Sequence, residues 1–135
     1  MSPLIRLASL LLTLLITCEA INVNPPTAFV KITNHLSHGM VLTIHCHSGN
    51  LDLGVHAVPH NAAYSFYYEP SLLSSTIVTC NFQWPGQSKY YDIYSYYRDQ
   101  TKCGEDCEWE VSEECPCRWF PSQFGGSPYG CESWK

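Results

Sequence analysis

The segment Val78-Thr79-Cys80-Asn81-Phe82-Gln83-Trp84 decides the fold class, because its large residues and Cys80 recur at every second position. A period of two is the side-chain period of a β-strand with one buried face. The same alternation occurs in Leu42–Cys46, Tyr64–Tyr68, Val30–Thr33 and Cys107–Ser112, and aromatic residues continue it on both faces of Tyr91–Tyr97. Turn residues separate such segments about every 8 to 12 residues. We predict an all-β fold, a small antiparallel β-sandwich of about seven or eight strands.

The N-terminus has the pattern of a secretory signal peptide. Arg6 precedes the apolar stretch Leu7–Ile16, and small residues follow up to Ala20. Ten helical residues would rise about 15 Å, half of a hydrocarbon core of about 30 Å. We therefore predict a signal peptide at 1–20, a folded domain at 21–120 and a Gly/Pro/Ser-rich tail at 121–135, in a secreted, extracellular protein without membrane insertion.

The charge balance argues against nucleic acids and anionic membrane surfaces as partners. The formal net charge is −5, and removal of the predicted signal peptide leaves it unchanged because Arg6 and Glu19 leave together. Phosphate backbones are bound by clustered cations, whereas the cations here are scattered. We expect no nucleic-acid partner and no affinity for an anionic membrane surface.

Seven cysteines remain after the predicted cleavage, and in a small secreted chain they indicate disulfides. Cys46 and Cys80 share the large-residue faces of their strands, so both should point inward. Cys103-x-x-x-Cys107 and Cys115-x-Cys117 could mimic metal knuckles, but disulfides fit a secretory route better. The disulfide candidates are Cys46, Cys80, Cys103, Cys107, Cys115, Cys117 and Cys131.

The histidines raise the question of a metal site. His45 and His47 share one face of a predicted strand, and His56 or His60 could approach from the next turn to complete a zinc site. Their spacing matches no compact finger pattern, so we predict surface histidines and neither a metal nor another cofactor. Because imidazole gains charge between about pH 5 and 8, a pH-responsive surface is the better hypothesis.

The chain offers weak signals for catalysis. Ser48, His45 and Asp52 are the residue types of a hydrolase triad, but no G-x-S-x-G elbow or H-E-x-x-H motif accompanies them. The carboxylates between Glu105 and Glu114 form a run that is typical of a solvated face. We predict no catalytic residues and no enzyme activity.

The order of the motifs resembles that of the plant self-incompatibility protein S1 family, the S-protein homologues. The motifs are Val30–Asn34, Leu42–Ser48, Asp52-Leu53-Gly54-Val55-His56, Thr79–Trp84 and Cys103-x-x-x-Cys107-x-Trp109, within residues 28–120. The resemblance implies a secreted β-sandwich with two disulfides among the positions Cys46, Cys80, Cys103 and Cys107. It also implies a non-enzymatic extracellular ligand that a cell-surface receptor protein recognises, as in pollen–pistil signalling.

The C-terminal segment departs from the family's pattern as we interpret it. Family members often stop soon after the segment that matches Cys107–Phe120, whereas this chain continues to Lys135. A bridge from Cys131 to Cys115 or to Cys117 would hold the extension and leave one cysteine over. That cysteine is a free thiol, part of an intermolecular bridge, or a sign that cleavage precedes Cys18.

Recognition is expected in loops, because loops on a rigid scaffold lose little entropy when a partner docks. The predicted loops are His47–Asp52, Pro59–Ala62, Pro85–Lys89 and Arg98–Asp106, with Ser48, Asn50, Asp52, Gly86, Lys89, Arg98, Asp99 and Lys102 as candidate contact residues. Tyr90, Tyr94 and Tyr96 should lie on the outer face of their strand, where they either contact a partner or stack across strands. We expect a monomeric ligand; the alternatives are a secreted defence or inhibitory module and a small hydrolase.

Overall fold

The computed structural model describes residues 27–69, 75–119 and 129–135, which form two packed β-sheets. The strands are β1 Ala28–Asn34, β2 Leu42–Ser48, β3 Leu51–Val58, β4 Ala63–Tyr68, β5 Ile77–Trp84, β6 Gln87–Ser95, β7 Asp106–Val111, β8 Pro116–Trp119 and β9 Tyr129–Cys131. One helical turn, α1 Tyr96–Asp99, follows β6. The strand order is β4-β1-β7-β8-β9 in the first sheet and β3-β2-β5-β6 in the second. The prediction of an all-β sandwich is confirmed.

The alternation read from the sequence defines the core. Val30 and Ile32 of β1, Ile44 of β2 and Phe82 of β5 are fully buried, while the residues that flank them along β1 and β2 are partly exposed. Trp109 of β7 is also buried, so the glutamates beside it lie on the outer face of its strand as predicted. Burial of large apolar side chains contributes about 1.5–3 kcal/mol each to folding.

Two features of the sheets differ from a simple antiparallel sandwich. β1 pairs with β7 in parallel, in a register that places Ile32 beside Trp109. β6 contains a register shift opposite Val78/Thr79, so that Val78 pairs with Tyr94 and Thr79 with Asp92. This bulge turns Tyr94 into the core, where it is almost fully buried. The prediction that Tyr94 lies on the outer face is therefore wrong, and Tyr96 lies in α1 instead of the strand.

The described residues contain three disulfides. Cys46 and Cys80 face each other across β2 and β5 with their Cα atoms 3.9 Å apart. A second bridge joins Cys103 to Cys107, 4 residues apart. The third joins Cys117 of β8 to Cys131 of β9, 14 residues apart, and Cys115 is the free cysteine of the described residues.

The predicted tail contributes to the fold where the structure describes it. β9 adds the last strand to the five-stranded sheet. The ring of Trp134 lies 5.5 Å from that of Phe82 and 6.0 Å from that of Trp84. The predicted signal peptide, 1–20, and residues 121–128 of the predicted tail lie outside the described residues. None of the helices described is long and apolar enough to cross a bilayer.

Candidate recognition surface

The predicted loops lie at opposite ends of the second sheet. The β2–β3 turn at Ser48–Leu51 lies beside the start of β5, where Ile77 pairs with Ser95 just before α1. The β5–β6 turn lies at the other end, because Thr43 near the start of β2 pairs with Gln83. A single partner cannot use all of these loops as one flat epitope. The strands between the loops are the surface that connects them.

Two of the candidate contact residues are unavailable to a partner. Ser48 is fully buried; its hydroxyl donates to the carbonyl oxygen of Ile77 at 3.0 Å, and the carbonyl oxygen of Ser75 lies 3.3 Å from the same hydroxyl. Asp99 is also fully buried. The prediction that these two residues contact a partner is wrong, because each satisfies polar groups inside the fold. Asn50 and Lys102 are exposed.

Asp99 is the centre of a buried ionic cluster. Its carboxylate accepts from Arg98 Nε at 2.7 Å and Nη2 at 2.8 Å, and from Arg118 Nη2 at 2.7 Å. The backbone N–H of Ser95 donates to the same carboxylate at 2.8 Å. The Arg118 guanidinium lies 4.5 Å from the ring centroid of Trp109, a cation–π distance. The cluster joins α1 to β6, β7 and β8, so its role is to hold the sandwich together.

The outer face of the second sheet is the most distinctive exposed surface of the described chain. We define the outer face by Thr43, His45, Val55, Gln83 and Tyr90, which lie on four neighbouring strands. Val55 is 64% exposed and Tyr90 is 53% exposed. His45 and His47 lie on one face of β2, as predicted from the strand alternation, and their side chains point away from the disulfide of Cys46. Directly behind this face, Cys46–Cys80 links the two central strands.

A hydrogen-bonded hairpin end lies at the rim of the outer face. Asp52 Oδ1 accepts from the backbone N–H of Gly54 at 2.8 Å and lies 2.7 Å from His45 Nε2. The Gly54 hydrogen bond, followed by that of His45, lowers the pKa of the Asp52 carboxyl below its ordinary value. Asp52 is thereby held as a carboxylate with a defined orientation, available at the surface.

The structure brings together two of the three residues of the hypothetical triad, His45 and Asp52, but not Ser48. Ser48 points into the core and His45 points outward, so His45 Nε2 pairs with Asp52 and not with the hydroxyl. His56 Nε2 lies 3.0 Å from the carbonyl oxygen of Leu53, and its ring stacks on Tyr64 at 4.0 Å. Among the described residues, the one group of three side chains with metal-ligand spacing is Cys115, Cys117 and Cys131.

A groove of about 620 Å³ continues the outer face toward the β5–β6 turn. It is lined by Val41, Thr43, Gln83, Trp84, Pro85, Gly86, Gln87 and Ser88. Gly86 has φ +76°, and Pro followed by such a glycine is typical of a type II turn. Gly86, one of the predicted contact residues, lies in this turn and lines the groove. Lys89 lies further along β6.

Sequence reasoning missed Val41 and Gln83. Val41 is 48% exposed and opens the groove, although it stands in a segment that reads as a connector. Gln83 had a usable signal, since it alternates with the buried Phe82 and Trp84 and must face outward. Such a groove is indicated by an apolar residue beside a predicted turn together with an outward-facing polar residue on the neighbouring strand.

Comparisons with known proteins agree with this architecture. The family model of the plant self-incompatibility protein S1 matches residues 29–134. One Arabidopsis thaliana relative, S-protein homolog 5, is 44% identical over 78% of this chain and 77% of its own length. Another, S-protein homolog 4, is 39% identical over 78% of this chain and 71% of its own length. The match to residue 134 corrects our interpretation that the C-terminal segment departs from the family's pattern.

A solved structure supports the fold. It belongs to an SPH (self-incompatibility protein homologue) protein, described as one of a widespread family of small, highly stable, secreted proteins from plants. The two folds align with a TM-score of 0.58 at 16% sequence identity, over 82% of this chain and 96% of the other. From its sequence match and its disulfide-linked sandwich, this chain belongs to the plant self-incompatibility protein S1 family, the S-protein homologues.

Proposed function

We propose that this protein is a non-enzymatic extracellular ligand in plant cell–cell signalling, recognised as a monomer by a cell-surface receptor protein. Pollen–pistil recognition is one process in which such a ligand would act. Membership of the S1 family supports the class of function. The observation that carries the proposal is the outer face, where exposed Val55 of β3 and Tyr90 of β6 lie on either side of the two central strands that Cys46–Cys80 links from behind.

The outer face has the physical properties of a binding surface. Its side chains project from paired strands, so little backbone freedom is lost when a partner docks. Tyrosine provides a large contact area with a polar tip and is enriched among the residues that dominate binding energy. The hydrogen-bonded Asp52 carboxylate at the rim offers a charge that is already oriented. A receptor surface with an apolar contact for each of the two edge strands and a basic group facing Asp52 would complement this arrangement.

Binding of the oxidised protein to plant plasma-membrane vesicles tests the proposal. We expect saturable, protease-sensitive binding, and we expect Tyr90→Ala to weaken it by tenfold or more, the change typical of an aromatic side chain that dominates binding energy. Tyr67→Ala is the matched control, since Tyr67 is 65% exposed on β4 of the opposite sheet. The proposal fails if binding is absent, or if the control weakens it as much as Tyr90→Ala does.

The histidines of the outer face should make binding depend on pH. His45 and His47 lie next to the proposed contact residues, and imidazole ordinarily gains a positive charge as the pH falls from 8 to 5. Such charges would oppose a basic receptor rim. We expect weaker binding at pH 5.5 than at pH 7.5, and a His45→Gln, His47→Gln variant that is less sensitive to pH. A wild-type affinity that is constant over this range would exclude the histidine effect.

A further inference from the structure

Three sulfur atoms lie together on the outer side of the five-stranded sheet. Cys115 Sγ is 3.5 Å from Cys117 Sγ, which is bonded to Cys131. All three sulfurs lie within 4.8 Å of one another. Cys115 and Cys117 are partly exposed, and Cys131 is exposed. A free thiol thus lies almost in contact with a solvent-accessible disulfide.

The local structure explains why the thiol is held there. Cys115 and Cys117 flank Pro116 at the start of β8, and alternate residues of an extended chain point to the same face. The turn before β8 is fixed at Cys115, because its carbonyl oxygen accepts from the Ser112 N–H at 3.2 Å and the Ser112 hydroxyl at 3.1 Å. Cys131 approaches from the other side, since β9 pairs Cys131 with Cys117.

We propose that Cys115, Cys117 and Cys131 form a thiol–disulfide exchange site that switches between two bridges. The Cys115 thiol loses its proton to solvent, and the thiolate attacks Cys117 Sγ. The Cys115–Cys117 bond forms as the Cys117–Cys131 bond breaks. The electron pair of the broken bond goes to Cys131 Sγ, which takes up a proton from solvent. The exchange is an isomerisation, so no external oxidant or reductant is consumed.

The alternative bridge is geometrically accessible. Residues two apart in a strand have Cα atoms about 6.6 Å apart at 3.3 Å per residue, within the 4.4–6.8 Å range of Cα separations in disulfides. The bridge Cys117–Cys131 joins directly paired residues with Cα atoms 4.0 Å apart. Because the structure contains the Cys117–Cys131 bridge, we expect it to be the major form and Cys115–Cys117 the minor form.

The switch changes how the C-terminus is held and which thiol is exposed. In the major form, the third bridge clamps residues 129–135, and Trp134 packs against the aromatic rings of β5 and donates from Nε1 to the carbonyl oxygen of Glu113 at 3.3 Å. In the minor form, the C-terminus is held without a covalent bond, by these contacts, by the pairing of β9 with β8 and by the ion pair of Lys135 with Asp92. The free thiol is then on exposed Cys131, where it can attack a disulfide of another molecule, such as glutathione disulfide, to form a mixed disulfide and release the partner's thiolate.

Slow alkylation of the oxidised protein with iodoacetamide at pH 8, followed by peptide mapping, tests the exchange. We expect label on both Cys115 and Cys131, with a Cys115–Cys117 bridge in the molecules labelled at Cys131. In Cys115→Ser, which removes the attacking thiol and no bridge, labelling of Cys131 should fall at least tenfold. Label confined to Cys115, or Cys131 labelling that persists in the variant, would refute the exchange. A native bridge from Cys115 to any other cysteine would refute it as well.

The variant Cys131→Ser tests the alternative bridge directly. Refolded in a glutathione redox buffer, it should form Cys115–Cys117 and show no thiol by mass. The matched variant Cys115→Ser should form Cys117–Cys131 under the same conditions and confirm that the buffer suffices. Two free thiols in folded Cys131→Ser, with the bridge formed in the matched variant, would show that the alternative bridge is not accessible.

Discussion

The buried carboxylate of Asp99 supports a quantitative prediction about stability. Asp99→Asn keeps the size of the side chain, but it removes the charge that balances Arg98 and Arg118 and turns an amide toward their N–H groups. The Arg118 side chain is only 3% exposed, so water cannot replace the lost partner. Removal of one member of a buried ion pair costs about 3–5 kcal/mol. This is a large share of the roughly 5–15 kcal/mol by which domains are stable.

Urea and thermal unfolding with intact disulfides measure this effect. At roughly 4 °C per kcal/mol for a domain of this size, Asp99→Asn should unfold at a Tm about 12–20 °C lower. The control is Glu108→Gln, which breaks a surface pair with Lys31 at 4.0 Å between half-exposed side chains and should cost about 0–1 kcal/mol. A loss for Asp99→Asn no larger than that of the control would refute the assigned role of the cluster.

Three further predictions concern single features of the sandwich. Asn34→Ala removes two amide hydrogen bonds to the carbonyl oxygens of Met40 and Val58 and one from the Leu36 N–H. It should lower the free energy of unfolding, measured by urea titration, by about 2–4 kcal/mol, and a change under about 1 kcal/mol would contradict this. Replacing both cysteines of Cys46–Cys80, which spans 34 residues, should lower the free energy of unfolding by about 4 kcal/mol. Replacing those of Cys103–Cys107, which spans 4, should lower it by about 2 kcal/mol. Calorimetry would contradict the loop-closure argument if the order of the two losses were reversed. In an NMR titration, the pKa of the Asp52 carboxyl should lie below its ordinary value of 3.8. Its contribution to stability is therefore present above about pH 4 and is lost as the pH falls through the pKa of the folded state. An unshifted pKa would contradict the hydrogen-bond geometry.

Strict alternation made much of the core predictable. Alternation predicts that Cys46 and Cys80 point inward because each shares a face with apolar residues two positions away, and the structure buries both. Trp109 was placed opposite its flanking glutamates by the same reasoning. Alternation is a local property, however, and does not identify the neighbouring strand. The parallel pairing of β1 with β7 joins segments more than 70 residues apart, so no local pattern could indicate it.

A bulge explains the error about Tyr94, and weak alternation or short length leaves β3 and β9 without a clear signal in the sequence. The bulge opposite Val78/Thr79 changes which residues of β6 face inward, and aromatic residues on both faces conceal such a change in the sequence. β3 is an edge strand with one fully buried residue, Val58, so it has little apolar alternation to detect. β9 is only 3 residues long. These elements are defined by their partners more than by their own residues.

The error about Asp99 has a consequence for experiments on recognition. A charged residue in a predicted loop between Arg98 and Asp106 suggested an exchangeable, solvent-facing contact. The structure instead places this loop over a carboxylate that three polar partners share, and the Asp99 carbonyl oxygen accepts from the N–H groups of Lys102 and Cys103 as well. Exchange of the whole loop would therefore reduce binding by unfolding the domain, whatever the receptor contacts. Recognition is better tested on the outer face, where Tyr90→Ala removes an exposed side chain and leaves the ionic cluster and the three bridges intact.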